Sequence, residues 1–142
     1  MKVKTYSITV ACEPKKTFDF VAKPENLPQW ATGFCRKITR ETQHWIVDSP
    51  QGKIRMRYIT DEKTGVIDFY MSPAPGVEGL AASRVIPNGN GTEYLFTMLQ
   101  APGMPDELFE KQGQVLQEEL VNLKNILEGR ASQTVHSSCE TR

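Results

Sequence analysis

No run of this sequence approaches the roughly 20 consecutive apolar residues that a membrane-crossing helix needs, so no membrane span is expected. Charge of one sign is missing too, because 17 basic and 17 acidic side chains balance. Without a positive field, neither nucleic acid nor an anionic membrane surface suits it as a main partner. Histidine is scarce, with only His44 and His136, and a hydrolytic triad requires a positioned one. The three cysteines, Cys12, Cys35 and Cys139, are odd in number and widely spaced. They show no CxxC or Cys/His zinc pattern and read as reduced thiols without a role. Neither a metal nor a cofactor is expected. The first residues, Met1 to Tyr6, lack the apolar run of a signal peptide, which makes the cytoplasm the expected location.

What is present fits one globular domain. The chain has 142 residues, 39% of them hydrophobic, and a chain of this length buries roughly 70% of its unfolded surface. Residues 2–11 alternate and are rich in β-branched and aromatic side chains, which predicts a strand. Pro14 suits the first turn of a helix, where its missing N–H is no loss. Phe18, Val21 and Ala22 then share one helical face, and Pro24 ends it. Glu25 to Trp30 reads as a second short helix. Six strands follow, near 34–40, 43–49, 52–60, 65–72, 80–87 and 92–100, separated by turn signals, with a longer loop from Pro73 to Gly79. A long helix without internal proline covers about 105–128. From Gly129 onward the chain is polar and lacks an apolar period, so 129–142 reads as a disordered tail beyond a domain of residues 1–128. The expected class is α+β: a curved, seven-stranded antiparallel sheet around a long C-terminal helix, with two short helices after the first strand.

The turns also set registers. A two-residue loop at Pro50-Gln51 pairs Trp45 with Met56, Val47 with Ile54 and Asp48 with Lys53. A loop centred on Glu62-Lys63 pairs Met56 with Phe69, Tyr58 with Ile67 and Arg57 with Asp68. A Gly89-Asn90 loop pairs Val85 with Tyr94 and Ser83 with Phe96. One face then collects Trp45, Val47, Ile54, Met56, Tyr58, Ile67, Phe69, Met71, Val85, Tyr94, Phe96 and Met98. The opposite face collects His44, Asp48, Lys53, Arg55, Arg57, Asp68, Arg84 and Glu93. Three turns chosen separately give one apolar face, and a slip of one residue would scramble it. The row His44, Arg57, Asp68 reads as a solvated charge ladder.

On the long helix, Phe109, Leu116, Leu120, Leu123 and Leu127 form one stripe. Gln112 and Gly113 interrupt it. The glycine admits two readings, close backbone packing or room for a ligand. The expected cavity, between sheet and helix, is lined by Trp30, Trp45, Tyr58, Phe69, Tyr94, Phe96, Gln112 and Leu116, with Gly113 adding space. Arg36 is a candidate for the cavity mouth, where it could meet a ligand carboxylate. Tyr58 and Tyr94 are candidate donors to a carbonyl. No carboxylate falls on the apolar sheet face, so a paired-carboxylate acid/base site is not expected.

The local sequence resembles a known superfamily. Ile8-Thr9-Val10 leads into Pro14-Lys15-Lys16-Thr17-Phe18-Asp19-Phe20-Val21-Ala22. Pro24-Glu25-Asn26-Leu27-Pro28-Gln29-Trp30 follows, and Glu118-Glu119-Leu120-Val121-Asn122-Leu123-Lys124 stands late in the chain. These segments, with the element order, resemble the START/Bet v 1-like (SRPBCC) superfamily in its bacterial polyketide cyclase/dehydrase-type branch, over residues 1–128. The resemblance implies a helix-grip fold. It also implies a cavity for lipids, aromatic polyketides, sterols or plant hormones. Members that look like this include cyclases, carriers, sensors and a chaperone-cofactor branch, so the fold alone does not select a function. The favoured expectation is binding of a small hydrophobic or aromatic molecule. The alternatives are a polyketide cyclase or dehydratase using Tyr and Arg donors, and a protein-interaction module.

Overall fold

The computed structural model describes residues 1–129; the expected tail beyond them lies outside the described residues. The chain runs β1 (Val3–Val10), α1 (Pro14–Ala22), a single 3₁₀ turn (Pro24–Asn26), α2 (Leu27–Trp30) and β2 (Lys37–Arg40). It continues with β3 (Trp45–Ser49), β4 (Gly52–Asp61), β5 (Val66–Ala74), β6 (Val77–Asn88), β7 (Gly91–Leu99) and α3 (Asp106–Leu127). All seven strands form one antiparallel sheet in the order β1-β7-β6-β5-β4-β3-β2. The α+β helix-grip architecture is thus the one the sequence implied. Among the described residues, no helix is long and apolar enough to cross a membrane.

Two of the three predicted registers are found. Trp45 faces Met56 and Val47 faces Ile54 across β3 and β4. Val85 faces Tyr94 and Ser83 faces Phe96 across β6 and β7. The β4–β5 register differs by two residues: Met56 pairs with Met71, Tyr58 with Phe69 and Arg57 with Tyr70. The reason is the turn. Asp61 pairs with Val66, and its Oδ1 accepts the Lys63 N–H at 3.0 Å. Its carbonyl accepts the Gly65 N–H at 2.9 Å. The connection is therefore four residues long, with Gly65 at φ +78°. A shift of two keeps every side chain on its predicted face, so the apolar surface survives. The predicted charge ladder does not. Arg57 stacks over Tyr70, 4.2 Å from the ring centroid, and pairs with Glu78 at 3.4 Å. The expected loop from Pro73 to Gly79 is a tight hairpin instead, with Ala74 paired to Val77 around Pro75-Gly76.

The core lies between the concave sheet face and α3. Phe109, Leu116, Leu120, Leu123 and Leu127 are buried along the helix as predicted. The four leucines share one core with Val47, Met56, Ile67, Phe69, Val85 and Tyr94 of the sheet. Each fully buried leucine contributes roughly 1.5–3 kcal/mol. Acidic Asp106 and Glu107 open α3 and basic Lys124 sits in its last turn, which complements the helix dipole at both ends. Buried Gln100 ties the start of α3 to the sheet. It accepts the Lys2 N–H at 2.8 Å and donates to Met104 O and Asp106 Oδ1, each at 2.8 Å. Cys35 is a buried free thiol. Cys12 is disulfide-bonded, which corrects the reading of reduced thiols at that position. Cys139 lies outside the described residues.

Candidate functional site: a cavity between the sheet and the long helix

A cavity of about 460 Å³ opens between the sheet and the first half of α3. The curved sheet supplies Met56, Phe69, Ala81, Phe96 and Met98, and α2 with the loop after it supplies Trp30, Ala31, Gly33 and Phe34. Helix α3 supplies Leu108, Lys111, Gln112, Val115, Leu116 and Glu119. Exposed Gln51, Leu99 and Lys111 mark its mouth, near the β3–β4 turn and the start of α3. The walls are overwhelmingly apolar, with a few polar groups, which is the usual make-up of a small-molecule site.

Of the residues singled out from sequence, Trp30, Phe69, Phe96, Gln112 and Leu116 line this cavity. Tyr58 and Tyr94 flank its aromatic floor: Tyr58 packs edge-on against Phe69 at 4.9 Å, and Tyr94 against Phe96 at 6.4 Å. Phe69 and Phe96 stack at 5.6 Å between them. Three residues stand elsewhere. Trp45 lies under the Arg40 guanidinium, 5.4 Å from its ring centroid. Arg36 is exposed, and its backbone N–H donates to Asp48 O at 2.9 Å. Gly113 packs under Tyr6 of β1, and a Cβ there would collide with the Tyr6 hydroxyl. What fills the space beside that glycine is the Tyr6 side chain, not packed backbone. The clash is with the tip of a side chain that can swing aside, and alanine gains about 1 kcal/mol of helix propensity over glycine. Gly113→Ala should therefore change the unfolding free energy by no more than about 1 kcal/mol in a chemical-denaturation series.

The hydroxyls of Tyr58 and Tyr94 and the Trp30 indole N–H are buried with no hydrogen-bond partner among the described residues. Burial raises both phenols well above the usual tyrosine range. The Ser83 hydroxyl, which donates to Ile67 O at 2.6 Å, offsets part of that rise at Tyr94. A buried donor without a partner costs about 1–3 kcal/mol. Tyr94→Phe should therefore leave the unfolding free energy unchanged or raise it by up to about 1 kcal/mol, as read by urea titration. A loss above that would show that the hydroxyl has an acceptor.

The apolar sheet face carries no carboxylate, but α3 brings one to the cavity, Glu119. This side chain is 6% exposed and lines the cavity. Its Oε2 accepts the backbone N–H groups of Gly33 at 3.0 Å and Phe34 at 2.9 Å. Those bonds favour the carboxylate form, but burial outweighs them and pushes the group up to about 7. The contact requires a bare backbone, because a Cβ on Gly33 would collide with Val115 and stand 3.3 Å from Glu119 Oε2. One turn on, the Asn122 amide donates to the carbonyls of Gln29 and Trp30, both at 3.1 Å. Two polar side chains of α3 thus hold the segment that forms one wall of the cavity. The signal for Glu119 was in the sequence: it stands three residues after Leu116 and four before Leu123, on the buried stripe.

No protein-family model matches the chain and no curated protein matches its sequence. Solved structures do share its fold. The di-domain ARO/CYC protein BexL, from the BE-7585A biosynthetic pathway, superposes at TM-score 0.72 with 18% identity, over 94% of this chain and 48% of its own. DynU16, from the dynemicin biosynthetic locus, does so at 0.70 with 16% identity, over 90% of this chain and 48% of its own. The present chain thus spans about half of each. Aha1 from Colwellia psychrerythraea, a dimer in solution, matches at 0.71 with 15% identity, over 93% and 100% of the two chains. At such identities the likeness is one of fold.

Proposed function

We propose that this protein binds a small hydrophobic or aromatic molecule in the cavity between the sheet and α3. The observation that carries this reading is the cavity: about 460 Å³ of space with apolar walls and an aromatic floor, left open where a closed core would be filled. The volume falls within the range of roughly 300–1,000 Å³ common to ligand pockets. The balanced charge of the chain, 17 basic against 17 acidic side chains, favours a neutral small molecule over nucleic acid. The test is native mass spectrometry of the purified protein, with uptake of a neutral naphthyl probe by protein stripped of any passenger. A bound small molecule, or probe uptake at micromolar concentration, is the expected result. Protein that carries nothing and takes up no probe would refute the reading.

A second reading is an enzyme of cyclase or dehydratase type, and one observation favours it. Glu119 places a carboxyl that titrates near neutrality on the wall of the cavity. Such a group can give or take a proton at working pH, as a general acid or base must. The structural likeness to an ARO/CYC protein is consistent with that chemistry. The donors that the sequence suggested for it stand apart from the cavity wall, with Arg36 at the surface and Tyr58 and Tyr94 beside the floor.

A further inference from the structure

We infer that Glu119 is the polar anchor of the ligand site: a neutral carboxylic acid whose Oε1–H hydrogen-bonds an uncharged acceptor oxygen, so that the site selects hydrophobic ketones, esters or phenols over carboxylates. This inference rests on the cavity binding a small molecule at all.

The geometry assigns the two oxygens different tasks. Oε2 already accepts two backbone N–H groups, from Gly33 and Phe34. Both of its lone pairs are engaged, so a proton on this carboxyl belongs on Oε1. Oε1 has no hydrogen-bond partner among the described residues, and Glu119 is part of the cavity wall. A protonated Glu119 therefore presents one O–H donor fixed in place by the backbone it grips. Burial raises the group to about 7, so the proton is held below neutrality and is given up as pH rises through that value.

The charged surroundings support the assignment. On α3, Glu118 adds a like charge that disfavours the carboxylate. From the segment facing it, the Cys35 thiol is itself pushed up to about 11 by burial and is neutral. The only other ionisable residue among those lining the cavity is Lys111, which is exposed at the mouth. Among the described residues, no cation stands beside Glu119 to hold it ionised. A ligand carboxylate driven against it would meet either a bare like charge or an acid forced to share its proton. A carbonyl or phenol oxygen meets a donor.

The test uses a matched pair of probes, 2-acetylnaphthalene and naphthalene, with the full chain. Binding is followed at pH 5.5 and pH 8.5, and far-UV circular dichroism checks that the protein is folded at both. The wild type should bind the ketone at least about tenfold more weakly at pH 8.5, a change of about 1.4 kcal/mol, and should bind naphthalene equally at both. Glu119→Gln retains an acceptor for the two N–H groups and an N–H donor. It should keep the preference for the ketone and lose the dependence on pH. If naphthalene binds but ketone affinity is flat with pH, or the dependence persists in Glu119→Gln, the anchor role is overturned while ligand binding stands. If neither probe binds at either pH, both fall.

Discussion

The unfolding free energy should fall by on the order of 3 kcal/mol as pH rises from about 4.5 to about 7.5, and Glu119→Gln should abolish that fall. Glu119 titrates near 7 in the folded chain against an ordinary 4.5. Between those values the folded state holds a proton that the unfolded state has released. Stability then decreases with pH, because the slope follows the protons bound in the unfolded state minus those bound in the folded one. Below about 4.5 the penalty is absent, and above about 7 it is fully present and constant. Asp48 and Asp106 act in the opposite sense. Lys53 beside Asp48, and Gln100 with Lys2 beside Asp106, hold those carboxyls below their usual value. Their contribution is lost only as pH falls through the carboxylate range, outside the window of Glu119. Urea titrations at pH 4.5, 6 and 8 on the wild type and Glu119→Gln would read the effect. Parallel pH profiles for the two proteins would show that another group is responsible.

The second large effect is expected at Gly65. Its φ of +78° lies in the left-handed region, which costs a residue with a Cβ roughly 1–2 kcal/mol. A Cβ would also collide with the Val85 carbonyl oxygen, which belongs to the sheet backbone and cannot swing aside. The neighbouring bonds hold the turn rigid: Val85 N–H donates to Gly65 O at 2.8 Å, and Gly65 N–H donates to Asp61 O at 2.9 Å. Gly76 offers a control with a similar φ of +80° and no atom within 4 Å of the place a methyl group would occupy. Gly65→Ala should cost about 3 kcal/mol or more, and Gly76→Ala about 1–2 kcal/mol. Equal losses at the two positions would mean that the collision is relieved by movement of β6.

Much of this fold is legible in the sequence because period-2 alternation and turn chemistry act locally. Pro50-Gln51 and Gly89-Asn90 specify their hairpins, and the residues on either side fall into the expected pairs. The Asp61–Gly65 turn was harder. Its length is set by an aspartate closing onto the chain ahead and by one glycine at positive φ, and the pattern on the flanking strands is equally satisfied by a register two residues away. The candidate site was legible in part. The aromatic residues were visible as one sheet face, but their depth was not, so Trp45 and Phe69 looked alike before the sheet's curvature separated them. Glu119 escaped because acidic residues on a long amphipathic helix are ordinarily solvated. Its burial depends on Gly33 and Phe34, 86 and 85 residues away in the chain, offering two backbone N–H groups. Gly113 illustrates the converse: a gap in the helical stripe is filled by Tyr6 from the opposite end of the chain.

Whether the cavity is a ligand site is tested most directly by filling it. Ala81 lies on its wall, opposite Phe69 in the neighbouring strand, while Ala82 is adjacent on β6 and points to the other face of the sheet. Titration of 2-acetylnaphthalene into the wild type, Ala81→Phe and Ala82→Phe compares the same added ring on the two faces. The cavity reading predicts that Ala81→Phe stays folded and binds at least about tenfold more weakly, a loss of about 1.4 kcal/mol, while Ala82→Phe binds like the wild type. Equal affinity for all three proteins would contradict it.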